Sequence, residues 1–238
     1  MKALIFAAGR GTRISRYLGG NPKCTVKIGN EKLIHYTVRL LKKHGISDIA
    51  LVVGYKQQAV RDALSDMDVS FYYNPFFDVT NSIASAWFAR GFLGEDDVLL
   101  MNGDVFMEER LLKEILYQQC DGPVLFSDET RKEEADYKFY YENGRLIKYG
   151  KELIGDDVTG EYIGVARMGK GFLPQFSDGL DQMIASQQHG VWWENVLYSL
   201  SDQRFIEIRD IGGRFWAEVD YIEDYERISE FVRTHPIG

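Results

Sequence analysis

Apolar runs of strand length at residues 3–7, 49–53, 69–73 and 98–101 alternate with stretches whose apolar positions recur at helical spacing, and this alternation constrains the chain most. A run with little polar alternation has no face to give to water, so it must be covered on both sides. Between the first two runs, Leu33, Ile34, Thr37, Val38 and Leu41 share a helical face, and Gly45 supplies a C-cap. Residues 55–64, 81–92 and 107–117 read as further amphipathic helices, with Thr80 as N-cap of the second. The fold class that follows is α/β: a Rossmann-like, mostly parallel mixed sheet flanked by helices.

Past residue 130 the texture changes. Residues 138–147 form a hairpin around Asn143-Gly144, and 160–166 another strand. Residues 183–188 and 192–200 read as helices, 205–208 and 215–217 as strands, and 221–232 as a closing helix. No Pro- or Ser/Gly-rich linker, internal repeat or low-complexity tract interrupts the chain. The expectation is one domain over 1–238, with a nucleotide-binding half at 1–130 and an acceptor-binding half at 131–238.

Composition narrows the function. A formal charge of −8 argues against a nucleic-acid partner, although a local cluster of cations can still oppose that sign at a small anion site. No apolar run reaches the ~20 residues of a membrane span, and the start lacks a signal peptide's long apolar region. Cys24 and Cys120 make neither a disulfide framework nor a zinc spacing, so a cytoplasmic setting is expected.

The first strand runs into "LIFAAGRGTRISRYLGGNPKCTVKI" at 4–28. Ligands of open α/β sheets sit beyond the carboxyl ends of strands. Gly9 and Gly11 free the backbone there to turn its N–H groups on an anion, while Arg13 and Lys23 add full charges. The competing reading is a surface turn with solvated cations; Thr12, Arg13, Pro22 and Lys23 together favour phosphate. The loop has neither the G-x-x-x-x-G-K-[ST] of a Walker-type NTPase nor a third dinucleotide-fingerprint glycine. Asp104 and Asp220 each end an apolar strand, a placement that suits either Mg²⁺ or the N-cap of the following helix. Asn81 and Ser85 share one face of their helix; they suit reading a pyrimidine edge, or capping and packing.

The run from Leu4 to Arg13 with Pro22-Lys23-Cys24, then "LLMNGDVF" (99–106), "GKEL" (150–153), "TGEYIGV" (159–165) and "WAEVDYIEDYERI" (216–228), resembles the sugar-phosphate nucleotidylyltransferase superfamily in motif order and spacing. "NPFFDVTNSIASAWFAR" (74–90) and Trp192-Trp193-Glu194 are similar to segments of phosphocholine cytidylyltransferase-like enzymes; the Gln-containing segment usual in thymidylyl- and uridylyltransferases is missing. The resemblance implies the nucleotide-diphospho-sugar transferase type of fold and Mg²⁺-dependent transfer of a cytidylyl group from CTP to a small phosphate- or phosphonate-bearing acceptor. Phosphocholine and aminoethylphosphonate are the leading acceptors. It implies catalytic roles for Lys23, Arg13, Asp104 and Asp220, with metal at Asp104 and Asp220. Nucleotide binding falls to Ala8, Gly9, Gly11, Thr12, Arg13, Lys23, Asn81, Ser85 and Asp104. Acceptor binding falls to Lys151, Glu161, Tyr162, Trp193, Glu194 and Asp136, with Trp87, Trp216 and Tyr137 as further aromatic candidates. The alternative for Lys151 is a solvated strand-end lysine, and for the aromatic residues the core; the resemblance favours the acceptor role for Lys151. Two rivals stay open: a sugar- or inositol-phosphate nucleotidylyltransferase using CTP, UTP or dTTP, and a non-catalytic nucleotide-binding module. Oligomeric state is not legible, a homodimer remaining open. No hexapeptide repeat follows the last helix, so a minimal catalytic unit is expected.

Overall fold

The computed structural model describes residues 1–14, 17–235 and 237; Ser15 and Arg16, inside the expected phosphate loop, lie outside the described residues. Its strands and helices, in order, are β1 (Lys2–Ala7), β2 (Lys27–Ile28), β3 (Glu31–Lys32), α1 (Leu33–Lys43), β4 (Ile49–Val53), α2 (Gln57–Ala63), β5 (Ser70–Tyr73), α3 (Ser82–Phe88), α4 (Arg90–Leu93), β6 (Val98–Asn102), β7 (Val105–Met107) and α5 (Glu109–Tyr117). The second half adds β8 (Pro123–Asp128), β9 (Lys138–Glu142), β10 (Arg145–Gly150), β11 (Gly160–Met168), α6 (Leu173–Ala185), α7 (Asn195–Leu200), β12 (Glu207–Asp210), β13 (Trp216–Glu218) and α8 (Ile222–Thr234).

A mixed sheet of nine strands in the order β5-β4-β1-β6-β11-β8-β12-β10-β9 organises the chain. β5, β4, β1 and β6 are parallel, and β11 joins antiparallel to β6. Three of the four apolar runs became strands covered on both sides, Ala3, Leu4, Ile5, Leu51, Val52, Leu99 and Leu100 being completely buried, whereas the remaining one became the edge strand β5, which has no buried residue. One apolar cluster fills each face of the sheet, Leu4, Val52 and Leu100 pointing to one and Ile5, Leu51 and Met101 to the other, as the period of two demands. The α/β class read from the runs is therefore the fold observed.

Boundaries differ from expectation in places. Asn81, not Thr80, caps α3, its side-chain oxygen accepting from the Ser82 N–H. That helix stops at Ala89 and resumes as α4, and Met107 closes β7 rather than opening a helix. The segment expected at 183–188 is only the end of the longer α6, and the helix expected from 192 begins at Asn195. The Asn143-Gly144 hairpin forms, both residues taking positive φ (50° and 74°), as a type I′ turn requires. Among the described residues no helix is long and apolar enough to cross a membrane.

Candidate active site

β1 and β6 end side by side, with Phe6 opposite Asn102 and the Gly103 N–H bonded to the Phe6 carbonyl at 2.8 Å. Two segments leave this edge: residues 8–14 after β1, and the Gly103-Asp104 turn after β6. Gly11 lies at φ +59°, and a Cβ there would stand 2.5 Å from Cγ of Lys23. The missing side chain thus lets the lysine stem run across the loop, within reach of Asp104.

A short ribbon assembles the acidic part. β7 pairs antiparallel with β13, Val105 opposite Glu218, and the Val219 N–H donates to the Asp104 carbonyl at 3.0 Å. The Asp220 N–H turns back onto the Glu218 carbonyl at 3.0 Å, a tight three-residue turn after the strand. Asp104, Glu218 and Asp220 consequently each offer a carboxylate oxygen within 4.8 Å of the others. The capping alternative fails at both aspartates. Glu108 precedes α5, while at α8 Asp224 reaches back to the Tyr221 N–H (2.9 Å). Both aspartate side chains face cations instead. Lys23 Nζ donates to Asp220 and, at 3.3 Å, to Asp104; an Arg13 Nη donates to Asp220 at 2.5 Å. Burial by itself would depress the Lys23 ammonium, but the charges of Asp104 and Asp220 outweigh it and hold its pKa above the ordinary lysine range. The charge of Asp220 likewise lifts that of Arg13 against a smaller opposing effect of burial. Glu218 moves the other way for a carboxylate: burial first, then the neighbouring Asp104 and Asp220 charges, push it well above its usual value.

Two cavities meet over this cluster. The first is walled by the Ala8–Gly9 backbone, Gly11, Asn81, Ser85 and Asp104. The second is walled by Asp136, Lys151, Glu161, Tyr162, Glu194 and Asp220, with Arg13, Tyr137 and Tyr198 alongside. Lys23, Asn102, Trp192 and Glu218 line both. Arg13 thus stands on the wall of the second cavity, not the first, and Thr12 is on neither wall.

The second cavity is aromatic and acidic at its closed end. Tyr137 stacks on Tyr198 (5.8 Å between ring centroids) and meets Trp192 edge-on at 5.4 Å. Glu194, held at the start of α7, is 5 % exposed; its Oε2 and the Tyr162 hydroxyl have no hydrogen-bond partner among the described residues. Burial pushes Glu194 up to about 8, slightly offset by its backbone and Tyr162, and drives Tyr162 well above the ordinary phenol value. Glu161 is also raised by burial, but its oxygens are engaged, accepting from the Asp136 N–H (2.8 Å) and Arg131 Nε (3.1 Å). At the mouth, Lys151 Nζ pairs with Asp136 at 2.6 Å, 5.7 Å from the centre of the Trp192 ring.

Trp193 is a correction. Its ring is fully buried, stacks on Phe6 at 5.5 Å and lines neither cavity; Trp192, 41 % exposed, takes the place expected of it. The backbone explains the swap: the Trp193 N–H donates to Ser82 Oγ, fixing the segment so that alternate side chains face opposite ways. Trp87 and Trp216 also serve elsewhere, donating to Asp181 and Asp128. The sequence reading passed over Glu218, Tyr198 and Asn102 and gave Trp193 the place that Trp192 takes; only the alternation of "WAEVD" hints that Glu218 and Asp220 share a face.

Comparison with known proteins bears on this arrangement. The family model described as MobA-like NTP transferase domain matches residues 3–161. CTP:phosphoglutamine cytidylyltransferase of Campylobacter jejuni subsp. jejuni serotype O:2 is 26% identical over 252 residues, covering 95% of this chain and 98% of its own. Choline-phosphate cytidylyltransferase of Streptococcus pneumoniae is 23% identical over 236 residues, covering 98% and 99%. Among solved structures, the CTP:phosphocholine cytidylyltransferase from Streptococcus pneumoniae superposes with a TM-score of 0.78 at 20% identity, over 97% of this chain and 98% of that one. The inositol-1-phosphate CTP transferase from T. maritima gives 0.79 at 21%, over 97% and 96%. At such identities the superpositions establish the fold.

Proposed function

The chain belongs to the MobA-like NTP transferase family, a nucleotidyltransferase family, and from that premise we propose that it is a cytidylyltransferase. It joins CTP to a small acceptor with a phosphate or phosphonate at one end and a nitrogen bearing N–H groups at the other. The observation that carries this reading is the pair of cavities sharing Lys23, Asn102, Trp192 and Glu218, with the carboxylate cluster at their junction.

In the reaction an oxygen of the acceptor's phosphate attacks the α-phosphorus of CTP. The bond from that phosphorus to the bridging oxygen of the β-phosphate breaks, and pyrophosphate leaves with the electron pair. The nucleophile is already ionised, so no general base is needed and catalysis rests on alignment and charge. Lys23, held protonated between the cavities, draws the α-phosphate and the incoming oxygen together. Arg13 neutralises charge from the acceptor side. The donor set of Asp104, Glu218 and Asp220 is all carboxylate oxygen, as a hard divalent cation prefers; Mg²⁺ bound there would supply positive charge to the phosphate oxygens. The first cavity receives the base between the Ala8–Gly9 backbone and Asn81 with Ser85.

The acceptor's nitrogen end follows from Glu194, whose buried Oε2 meets no cation or N–H donor among the described residues. A buried acceptor atom left unmet costs about 1–3 kcal/mol, which an N–H donor repays, and surrounding rings favour a cation. Lys151 at the mouth meets the phosphate or phosphonate. The names of the Campylobacter and Streptococcus relatives, for CTP with phosphoglutamine and for choline phosphate, support a phosphorylated acceptor that carries nitrogen, the first of them with N–H groups on it. The test is pyrophosphate release over CTP, UTP, dTTP, ATP and GTP crossed with phosphoethanolamine, phosphocholine, 2-aminoethylphosphonate, inositol 1-phosphate and glucose 1-phosphate. Turnover with CTP and an amine-bearing acceptor is expected. Turnover confined to UTP or dTTP with a sugar phosphate overturns the reading, and binding without turnover in every combination identifies a nucleotide-binding module.

A further inference from the structure

One residue beside the first cavity holds the glycine-bearing chain there at three places. Tyr55 follows β4, the neighbour of β1 in the sheet, and its N–H donates to the Ala8 carbonyl at 3.0 Å. Its hydroxyl donates to the Gly20 carbonyl, also at 3.0 Å. The Arg10 guanidinium lies 5.4 Å from the centre of its ring. Ala8 and Arg10 belong to the limb that leaves β1, and Gly20 to the limb that leads into Pro22 and Lys23. Gly54 makes the close approach possible. A Cβ there would stand 2.8 Å from the Ala8 carbonyl oxygen and 2.7 Å from Cβ of Phe77, which lines the first cavity.

The two limbs have separate tasks. The first carries the Ala8–Gly9 backbone and Gly11 to the cavity wall, and the second delivers Lys23 across Gly11 to Asp104 and Asp220. Gly11, Gly19 and Gly20 all sit at positive φ (59°, 58° and 73°), so the free backbone has many other conformations open to it. A loop that holds its binding arrangement only part of the time loses apparent affinity by that fraction. Tyr55 supplies the restraint from the sheet, by a backbone bond to one limb and a side-chain bond to the other. It lines neither cavity, so its effect on a nucleotide passes through the limbs.

We infer that Tyr55 is a positioning residue for the nucleotide: it fixes the Ala8–Arg10 limb against the Gly20–Lys23 limb before the triphosphate arrives, and so sets the affinity for it. This rests on the reading that the first cavity takes the nucleotide, and deepens it. A bound triphosphate bridges the same limbs. The hydroxyl therefore acts on affinity, and not on the number of molecules able to bind.

The test is Tyr55→Phe, which deletes the Gly20 tie and keeps both the ring under Arg10 and the backbone bond to Ala8. Isothermal titration with CTP and Mg²⁺ gives the affinity and, separately, the fraction of molecules that bind. Tyr55→Phe is expected to raise Kd for CTP about 3- to 10-fold, the worth of one neutral hydrogen bond, with the stoichiometry unchanged. A hydroxyl that serves stability alone lowers the stoichiometry and leaves Kd where it was, which refutes the inference. In nucleotide-free protein, tryptic cleavage after Arg10 and Arg13 is expected to quicken about 3- to 10-fold in the variant and to be suppressed by CTP. Cleavage at the wild-type rate overturns the inference as well. Amide exchange in the wild type needs no variant: the Tyr55 N–H is expected to be protected without nucleotide as well as with it. Protection that appears only on adding CTP shows that the nucleotide orders the limb, and refutes the role given to Tyr55. A wild type with no measurable affinity for CTP removes the nucleotide reading and the inference with it. A wild type that binds CTP no better than Tyr55→Phe removes the inference alone.

Discussion

Replacing Glu194 by glutamine tests whether the carboxylate at the closed end of the second cavity is held without a partner. The free protein buries this group at 5 % exposure with Oε2 unmet, and burial raises it from 4.5 to about 8. Between those values the folded protein retains a proton that the unfolded chain has lost. The sign is therefore that stability falls as pH rises through the window, at about 1.4 kcal/mol per pH unit, and levels off above the folded value. From pH 5.5 to 7.5 the single group removes about 3 kcal/mol of stability. Glu194→Gln keeps the volume and abolishes the ionisation. Glu218 is raised in the same direction but is present in both proteins, so it cancels in the difference. Urea unfolding of wild type and Glu194→Gln at pH 5.5, 6.5 and 7.5 measures that difference. The variant is expected to gain about 3 kcal/mol on wild type across the range. Parallel pH profiles, within about 0.5 kcal/mol, refute the argument that Glu194 is buried and unpaired.

Binding of an ammonium-bearing acceptor recovers that ionisation. KM for phosphoethanolamine is accordingly expected to fall as pH rises from 6 to 8 in wild type and to stay flat in Glu194→Gln, read from initial rates at saturating CTP. Trp193→Ala is expected to cost about 3–5 kcal/mol in urea unfolding, since its buried ring stacks on Phe6, whereas Trp192→Ala leaves stability near wild type and raises acceptor KM. Gly11→Ala forces a side chain onto the Lys23 stem at φ +59° and is expected to lower kcat at least 10-fold with the circular-dichroism spectrum unchanged. Asp104→Asn is expected to abolish Mg²⁺-dependent pyrophosphate release while the fold persists; unchanged rates would remove Asp104 from the site.

The sheet was legible because strands buried on both faces leave uninterrupted apolar runs: β4 kept the limits its run predicts, and β1 and β6 each extend theirs by one residue. The helix α6 was hidden because Pro174, Ser177, Asp178 and Gly179 dilute its apolar stripe. Gly179 is there for packing: a Cβ would stand 2.7 Å from Val196 Cγ1 of α7. β8 was passed over because its Pro123 start and Ser-Asp end disguise six buried residues. At the site, Asp104 and Asp220 showed in the sequence because they sit where apolar strands stop, and Lys23 because it follows Pro22 in the long glycine-bearing loop after β1. Glu218 did not, since its role depends on β13 pairing with β7 across a long separation, which sets its register beside Val105. Trp192 and Trp193 exchange roles for a similar reason: the Ser82 contact that orients them joins distant segments.

The most direct measurement is a crystal structure with a non-hydrolysable CTP analogue and phosphoethanolamine bound together. The account predicts the cytosine between the Ala8–Gly9 backbone and Ser85, the α-phosphate beside Lys23, and the acceptor's nitrogen against Glu194 with its phosphate toward Lys151 and the junction. A base lodged in the second cavity, or an acceptor whose nitrogen points away from Glu194 into solvent, would contradict it.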